Sequence, residues 1–95
     1  MNHYDKKGDP LEMLEWASLL GNREYTNIAK DKVGDVGVST VWLGLDHNYS
    51  SEGPPLIFET MIFGGEHNDK QWRYATEEEA LAGHEIAKKI VEGGE

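Results

Sequence analysis

Two apolar runs in the middle of the chain dominate its hydrophobic pattern. Residues 38–47 read VSTVWLGLDH and residues 56–65 read LIFETMIFGG, and both runs are rich in β-branched and aromatic side chains. The connection between them, residues 48–55, is polar and contains glycine and proline. Such residues mark the ends of strands, so the pattern predicts two antiparallel strands joined by a long loop.

An amphipathic helix is predicted before these runs, over residues 10–20. Asp9 is a suitable N-cap, Pro10 suits the first helical position, and Glu12 has the spacing of a capping box. The Gly-Asn pair at residues 21–22 provides a stop. The predicted apolar face comprises Leu11, Leu14 and Ser18, with Met13, Trp16, Ala17 and Leu20 beside them.

Two weaker strands flank the central pair. Residues 25–33 alternate poorly, but the turn composition of residues 33–36 leads from them directly into the first central run. Residues 71–75 follow a polar loop and are predicted to form a short fourth strand. A short extended segment over residues 2–8, closed by a turn, precedes the first helix.

A second helix is predicted over residues 77–92. Thr76 and Glu79 have the spacing of a capping box, and three glutamates occupy the positive end of the helix dipole. This role explains the acidic triplet better than a metal site does. The order of elements predicts an α+β fold and a single domain over residues 1–95: a four-stranded antiparallel meander with the N-terminal and C-terminal helices packed on one face.

The register of the central pair determines which side chains share a face of the sheet. If the loop closes with His47 opposite Leu56, Trp42 lies opposite Met61. The face covered by the helices then carries Val41, Leu43, Leu45, Leu56, Phe58 and Ile62. The second face carries Val38, Trp42, Ile57, Met61 and Phe63, with Asp46 and Glu59 among them. No helix remains to cover this second apolar face, so we expect a binding groove or an interface there, first of all a twofold homodimer that packs sheet on sheet.

Glu59 has two interpretations within this predicted face. A carboxylate in an apolar strand must be solvated, paired or protonated. As a ligand-binding group or general base, it would form the floor of a groove walled by Trp42 and Met61, with Asp46 nearby. Alternatively it forms an ion pair with Arg73 or bonds a tyrosine across the sheet, which is the interpretation we favour.

The histidines do not have the spacing of a known metal motif. The conceivable cluster would combine His47, His67 and His84 with Asp46, Asp69 or Glu59. His84, however, lies on an apolar helix face, where a histidine is more often hydrogen-bonded within the core. We therefore expect no metal ion and no other cofactor.

Charge and length add limits to the function. The 95 residues carry a formal net charge of −9, which argues against direct binding to nucleic acid. Acidity serves solubility, but it also suits docking on a basic partner or mimicry of nucleic acid. The chain has no cysteine and no segment with the roughly 20 apolar residues of a membrane span. We therefore expect a soluble, cytoplasmic protein that contacts no membrane.

Three segments of the chain resemble a family of small uncharacterised proteins encoded by bacteriophages and prophages. They read VSTVWLGLDH over 38–47, PPLIFETMIFGG over 54–65 and YATEEEALAGH over 74–84, and the opening YDKKG and the LEWA of the first helix are similar too. The resemblance covers nearly the whole chain. It implies a phage-type accessory protein that acts inside a bacterial host cell, and it transfers no functional residue.

Two hypotheses for the function follow. The first is a non-enzymatic binding module or inhibitor, a small acidic homodimer that engages a host or phage macromolecule, and the absence of a catalytic motif favours it. The alternative is a small-molecule (nucleotide-like) binding protein or modest hydrolase, so enzymatic activity stays open, with a site that comprises Glu59, Asp46, His47 and Trp42. The predicted ligand or partner surface comprises Trp42, Asp46, His47, Ile57, Glu59, Met61 and Phe63.

Overall fold

Four antiparallel strands form the body of the fold. The computed structural model describes residues 2–46 and 53–93. The elements in this part of the chain are β1 His3–Tyr4, β2 Pro10–Leu11, α1 Met13–Leu20, α2 Arg23–Thr26, β3 Asn27–Val33, β4 Val36–Trp42, β5 Phe58–Phe63, β6 Gln71–Tyr74 and α3 Glu77–Val91. The sheet order β3-β4-β5-β6 confirms the predicted antiparallel meander and the α+β class.

The C-terminal helix α3 packs across all four strands of this sheet. Its predicted start is confirmed, because the Thr76 hydroxyl accepts a hydrogen bond from the backbone N–H of Glu79 at 3.1 Å. The Glu79 carboxylate in turn accepts from the backbone N–H of Thr76 at 3.2 Å. This capping box satisfies two backbone donors and fixes where the helix begins. The buried residues of the helix are Ala80, His84 and Ala87.

The N-terminal segment forms a hairpin before its helix, and this corrects the prediction of a helix over residues 10–20. β1 pairs with β2, so Pro10 lies in a strand. The backbone N–H of Asp9 donates to the Asp5 carboxylate at 2.9 Å, and Asp9 therefore belongs to the hairpin turn instead of capping a helix. The helix begins at the start of α1, with Glu12 at the N-cap position.

Helix α1 turns only part of its predicted apolar face to the core. Trp16 and Leu19 pack against core residues, whereas Leu14 of the predicted apolar face is 83% exposed. The Trp16 indole N–H donates to the Leu43 carbonyl at 2.9 Å, and the Trp16 ring lies 4.4 Å from the His3 ring. These contacts attach α1 to the hairpin and to the segment that follows β4.

The first strand of the sheet alternates poorly for a structural reason. β3 pairs with β4, but the register shifts between Asn27 and Ala29. A bulge of this kind places an extra residue in one strand and interrupts its period of two. The tight turn predicted over residues 33–36 is confirmed, because Val33 pairs with Val36 across two turn residues.

The pairing of β4 with β5 differs from the predicted register by three residues. Trp42 lies opposite Phe58 instead of Met61. Because side chains alternate along a strand, an odd shift exchanges the faces of one strand relative to its neighbour, and here the faces of β4 were the ones predicted wrongly. The cause lies just after β4: Gly44 has φ +74°, and its carbonyl accepts from the backbone N–H of Tyr4 at 2.8 Å. The chain therefore turns toward the N-terminal hairpin where the prediction continued the strand.

The side of the sheet that meets α3 consequently differs from the predicted one. Its buried strand residues are Val38, Thr40, Trp42, Phe58, Thr60 and Ile62. Val38 and Trp42 were predicted for the uncovered face, and Val41 for the covered one, so all three assignments are wrong. Phe58 and Ile62 lie on the covered face as predicted.

Candidate functional site on the open sheet face

The sheet face opposite α3 is the candidate functional surface. By the strand register it carries Asn27, Lys30 and Lys32 of β3, Gly37, Ser39 and Val41 of β4, Glu59, Met61 and Phe63 of β5, and Gln71 and Arg73 of β6. We call these residues the open face. All of them are exposed or half-buried, in contrast to the buried strand residues of the other side. The sheet therefore presents this face to solvent across its whole width.

Apolar side chains occupy the middle of the open face. Val41 and Met61 lie on the two central strands and are half-buried, and Phe63 is 51% exposed. Phe63 lies opposite Gly37, which has no side chain to cover the ring. An antiparallel sheet that faces only water usually carries polar residues there, so these three residues form an unusual apolar strip.

Cations dominate the open face although the protein as a whole is acidic. Lys30, Lys32 and Arg73 oppose the single carboxylate of Glu59, which gives a formal charge of 3 − 1 = +2 for the open face. With a net charge of −9 for the chain, the remaining residues carry −9 − 2 = −11. The open face is therefore a basic and partly apolar area on an otherwise acidic surface.

Glu59 forms the ion pair that was favoured from the sequence. It lies directly opposite Arg73 in the ladder, and the Arg73 Nε–H donates to the Glu59 carboxylate at 3.1 Å. The side chains are 13% and 32% exposed for Glu59 and Arg73, respectively. The Glu59 carboxylate is thus engaged by a cation across the ladder, as in the structural interpretation.

A shallow cleft of about 520 Å³ borders the open face where α2 meets β3. Arg23 and Lys30 place two cations on its wall, and Asn27 and Ser39 add polar groups. Glu24 supplies one carboxylate. The cleft extends the basic character of the open face toward α2.

Two of the residues predicted for the partner surface belong to the core. Trp42 is 1% exposed and Ile57 is fully buried. The Trp42 indole N–H donates to the Tyr4 carbonyl at 3.1 Å, and its ring meets the Tyr25 ring edge-on at 4.8 Å. Neither side chain lies on the predicted surface: the register shift turns Trp42 toward the covered side, and Ile57 precedes β5 and packs in the core with Trp42 and Phe58.

The other predicted residues do not converge on one site. Asp46 lies beyond the end of β4, where its carboxylate accepts a hydrogen bond from the backbone N–H of Leu56 at 3.0 Å. His47 falls outside the described residues. The members of the predicted set that share the open face are Glu59, Met61 and Phe63.

A chain of hydrogen bonds crosses the covered side, and sequence reasoning predicted only its central member. His84 bonds Thr40 through Nδ1 at 2.6 Å and Asp31 through Nε2 at 2.8 Å. The hydroxyl groups of Thr40 and Thr60 lie 2.5 Å apart. Lys88 Nζ lies 3.6 Å from the Asp31 carboxylate at the surface end of the chain. His84 is thus the hydrogen-bonded core histidine that its position on the helix predicted.

Three side chains in or beside this hydrogen-bond chain have shifted pKa values. The hydrogen bond from His84, together with the nearby Lys88 ammonium, holds the pKa of Asp31 below its usual value. The carboxylates of Asp31 and Glu85 raise the pKa of Lys88. Burial raises the pKa of the Tyr74 phenol on β6.

The order Asp31, His84, Thr40 is that of a catalytic triad, but the hydroxyl lacks access to solvent. A triad hydroxyl must reach a substrate, and Thr40 and Thr60 are fully buried. This chain of hydrogen bonds therefore joins α3 to the sheet and does not present a nucleophile to a substrate. A sequence signal did exist, because each threonine lies two residues from buried apolar neighbours on its strand, which places its hydroxyl in the core.

Comparisons with known proteins add no relative to this picture. No family model, no curated protein and no solved structure matches the chain. Among the described residues, no three histidine, aspartate or glutamate side chains are grouped so that they could hold a metal ion. No described helix has the length and apolar character needed to cross a membrane.

Proposed function

We propose that this protein is a non-enzymatic binding module that engages another protein through its open face. The observation that carries the proposal is the contrast between the two sheet faces. One is closed by α3, and the other carries half-buried Met61 and exposed Phe63 among basic side chains on an acidic molecule. Apolar strips bordered by charges are typical of surfaces that bind partners. The sequence resemblance supports a phage-type accessory role inside a bacterial host cell, including inhibition of a host or phage macromolecule.

The charge of the open face defines the kind of partner. Lys30, Lys32 and Arg73 favour a surface that combines acidic groups with an apolar patch. A nucleic acid would also be attracted to these cations, but the remaining charge of −11 would repel a long polyanion as it approached. A folded protein partner meets only the open face, so it avoids this repulsion.

The experiment is an affinity capture from bacterial lysate with matched variants. Lys30→Glu combined with Lys32→Glu reverses the charge of the open face, and Phe63→Ser removes its exposed ring. Leu14→Ser on α1 is the control, because Leu14 is an exposed apolar residue that lies outside the open face. We expect one protein to be retained by wild type and by the control, and its recovery to fall about tenfold or more with either open-face variant.

Two further arms separate the outcomes. Nuclease treatment should leave the capture unchanged, and raising the salt concentration should weaken it, because screening reduces charge attraction. Capture that disappears with nuclease would assign the open face to nucleic acid instead of protein. Equal recovery by wild type and both open-face variants would refute the proposal.

A further inference from the structure

The edge strand β6 directs unused hydrogen-bonding groups outward from the sheet. Its pairing with β5 uses the carbonyls of Lys70 and Tyr74, which accept from the backbone N–H groups of Ile62 and Ile57 at 3.0 and 2.9 Å. In an antiparallel ladder, successive residues direct their N–H and C=O groups alternately to the two sides. The backbone groups of the intervening residues, Gln71 and Arg73, therefore point away from β5. An added strand can form backbone hydrogen bonds with two such residues, which are separated by one inward-directed residue.

The opposite edge of the sheet is less suited to pairing. β3 contains the bulge between Asn27 and Ala29, and it carries Lys30 and Lys32. Bulges and lysines are the devices by which edge strands resist pairing with another chain. β6 has no bulge in its pairing with β5. Edge pairing is therefore expected at β6.

An apolar groove accompanies β6 on the side of α3. Trp72, Tyr74, Gly83, Ile86 and Ala87 line a cavity of about 240 Å³ between the strand and the helix. Ile86 is 60% exposed at its outer rim. A partner that adds a strand to β6 would also cover this groove.

We propose that the partner at this edge is a second copy of the chain, paired with β6 antiparallel about a twofold axis at Trp72. Gln71 of one copy then lies opposite Arg73 of the other, and the two copies exchange four backbone hydrogen bonds. The two tryptophans form a cross-strand pair beside Ile86 of each copy. Two four-stranded sheets become one continuous sheet of eight strands.

Charge selects this register and this partner. Two neighbouring twofold registers also use the outward groups. One places Arg73 opposite Arg73, and like charges directly opposite are destabilising. The other places Gln71 opposite Gln71 and Arg73 opposite Asp69, whose backbone N–H already donates to the Ile62 carbonyl. A twofold axis perpendicular to the sheet makes the two α3 helices antiparallel. The glutamates at the start of one helix are then on the same side as Lys88 and Lys89 of the other, so the helix is complementary to itself.

The dimer leaves the open face uncovered, since pairing at an edge extends the sheet within its own plane. The inference is therefore independent of the proposed function. Charge reversal at Lys30 and Lys32 should leave the dimer intact, whereas a failure of the dimer would leave the open-face capture unaffected.

The test is the molar mass of the purified chain, measured by light scattering and sedimentation velocity from about 5 μM to about 500 μM. We expect twice the monomer mass at the upper end of this range. Ile86→Lys should raise the dimer dissociation constant about tenfold or more by placing a charge in the groove. Leu14→Lys, an equivalent change on α1, should leave it unchanged. A wild-type chain that stays monomeric throughout would overturn the inference.

A second variant tests the backbone pairing itself. Gln71→Pro removes an N–H that the ladder with β5 does not use, at the first residue of an edge strand, where proline is tolerated. Circular dichroism establishes that each variant is folded. We expect Gln71→Pro to weaken the dimer as Ile86→Lys does. A dimer that persists in Ile86→Lys would place the contact elsewhere and refute the inference, even if Gln71→Pro fails to fold.

Discussion

One histidine organises the covered side at the scale of single residues. His84 is 1% exposed, and its two ring nitrogens bond Thr40 and Asp31. An ionised carboxylate can only accept, so Nε2 carries a hydrogen toward Asp31, and in the neutral ring Nδ1 then accepts from the Thr40 hydroxyl. Asp31 thereby selects the tautomer, which sets the direction of the hydrogen bond between His84 and Thr40. The buried polar groups of the helix and the sheet are satisfied together.

Asp31→Asn tests this dependence through pH. Folding lowers the pKa of Asp31, so its ionised form contributes to the stability of the folded state. This contribution is complete above the unfolded-state pKa of about 3.9 and is lost as the pH falls through the lower folded-state pKa. We expect wild type to be more stable than Asp31→Asn at about pH 6, and the difference to shrink as the pH falls below about 4. Urea unfolding followed by circular dichroism measures it.

Asp35→Asn is the charge-matched control for this experiment. Asp35 is exposed in the turn between β3 and β4, so its substitution should change the free energy of unfolding by less than about 0.5 kcal/mol at about pH 6. A difference between wild type and Asp31→Asn that stays constant over the whole pH range would contradict a contribution from the ionised carboxylate.

At the scale of elements, local chemistry predicted more than long-range geometry. The capping box at Thr76, the turn at Gly34 and the composition of four strands determined α3 and the meander, because each signal lies within a few residues of the element it defines. The register of β4 and β5 was wrong because it depends on where residues after Trp42 go, and those residues pair with a hairpin at the other end of the chain. Periodicity within a strand contains no information about such a partner.

The residues of β4 were assigned to the wrong faces of the sheet for the same reason. Met61 and Phe63 were placed correctly because they alternate with buried neighbours on β5. Trp42 was misplaced, although its size alone favours burial in a small core. The Arg73 partner of Glu59 was foreseen, because an unpaired carboxylate in the middle of a strand is costly.

Gly44 is the junction that joins the N-terminal hairpin to the sheet, and Gly44→Ala tests its role. Its φ of +74° is unfavourable for residues other than glycine. A Cβ atom at this position would lie 2.5 Å from the Trp42 ring and 2.6 Å from the Trp16 ring. We expect the substitution to lower the free energy of unfolding by about 2–4 kcal/mol, as the sum of backbone strain and overpacking.

Gly8→Ala separates these two causes. Gly8 also has a positive φ, +88°, but a Cβ atom there would meet no atom within 4 Å. Its substitution should cost only the strain, about 1 kcal/mol. The same urea unfolding measurement serves both variants. Equal losses at Gly44 and Gly8 would show that the two tryptophan rings move aside at little cost.

At the scale of the whole molecule, the charge distribution and the proposed pairing at β6 determine where a partner protein can bind and how many copies of it. The residues outside the open face carry a formal charge of −11, which opposes contact with acidic surfaces everywhere except at the sheet. Pairing at β6 would set two open faces side by side in one plane. A dimer of this kind therefore presents two identical basic and apolar areas in a fixed geometry.

Such a dimer should bind a dense layer of its protein partner far more tightly than a monomer does. When one open face is bound, the second is held close to another partner molecule, and the gain from this effective concentration reaches about a hundredfold or more. We expect Ile86→Lys to lower the apparent affinity for densely immobilised partner by about that factor, measured by surface plasmon resonance. Calorimetry with soluble monovalent partner should show no change in affinity per site, because the open face itself is intact. Leu14→Lys should behave as wild type in both formats, and an equal loss for Ile86→Lys in both would mean that Ile86 contacts the partner directly.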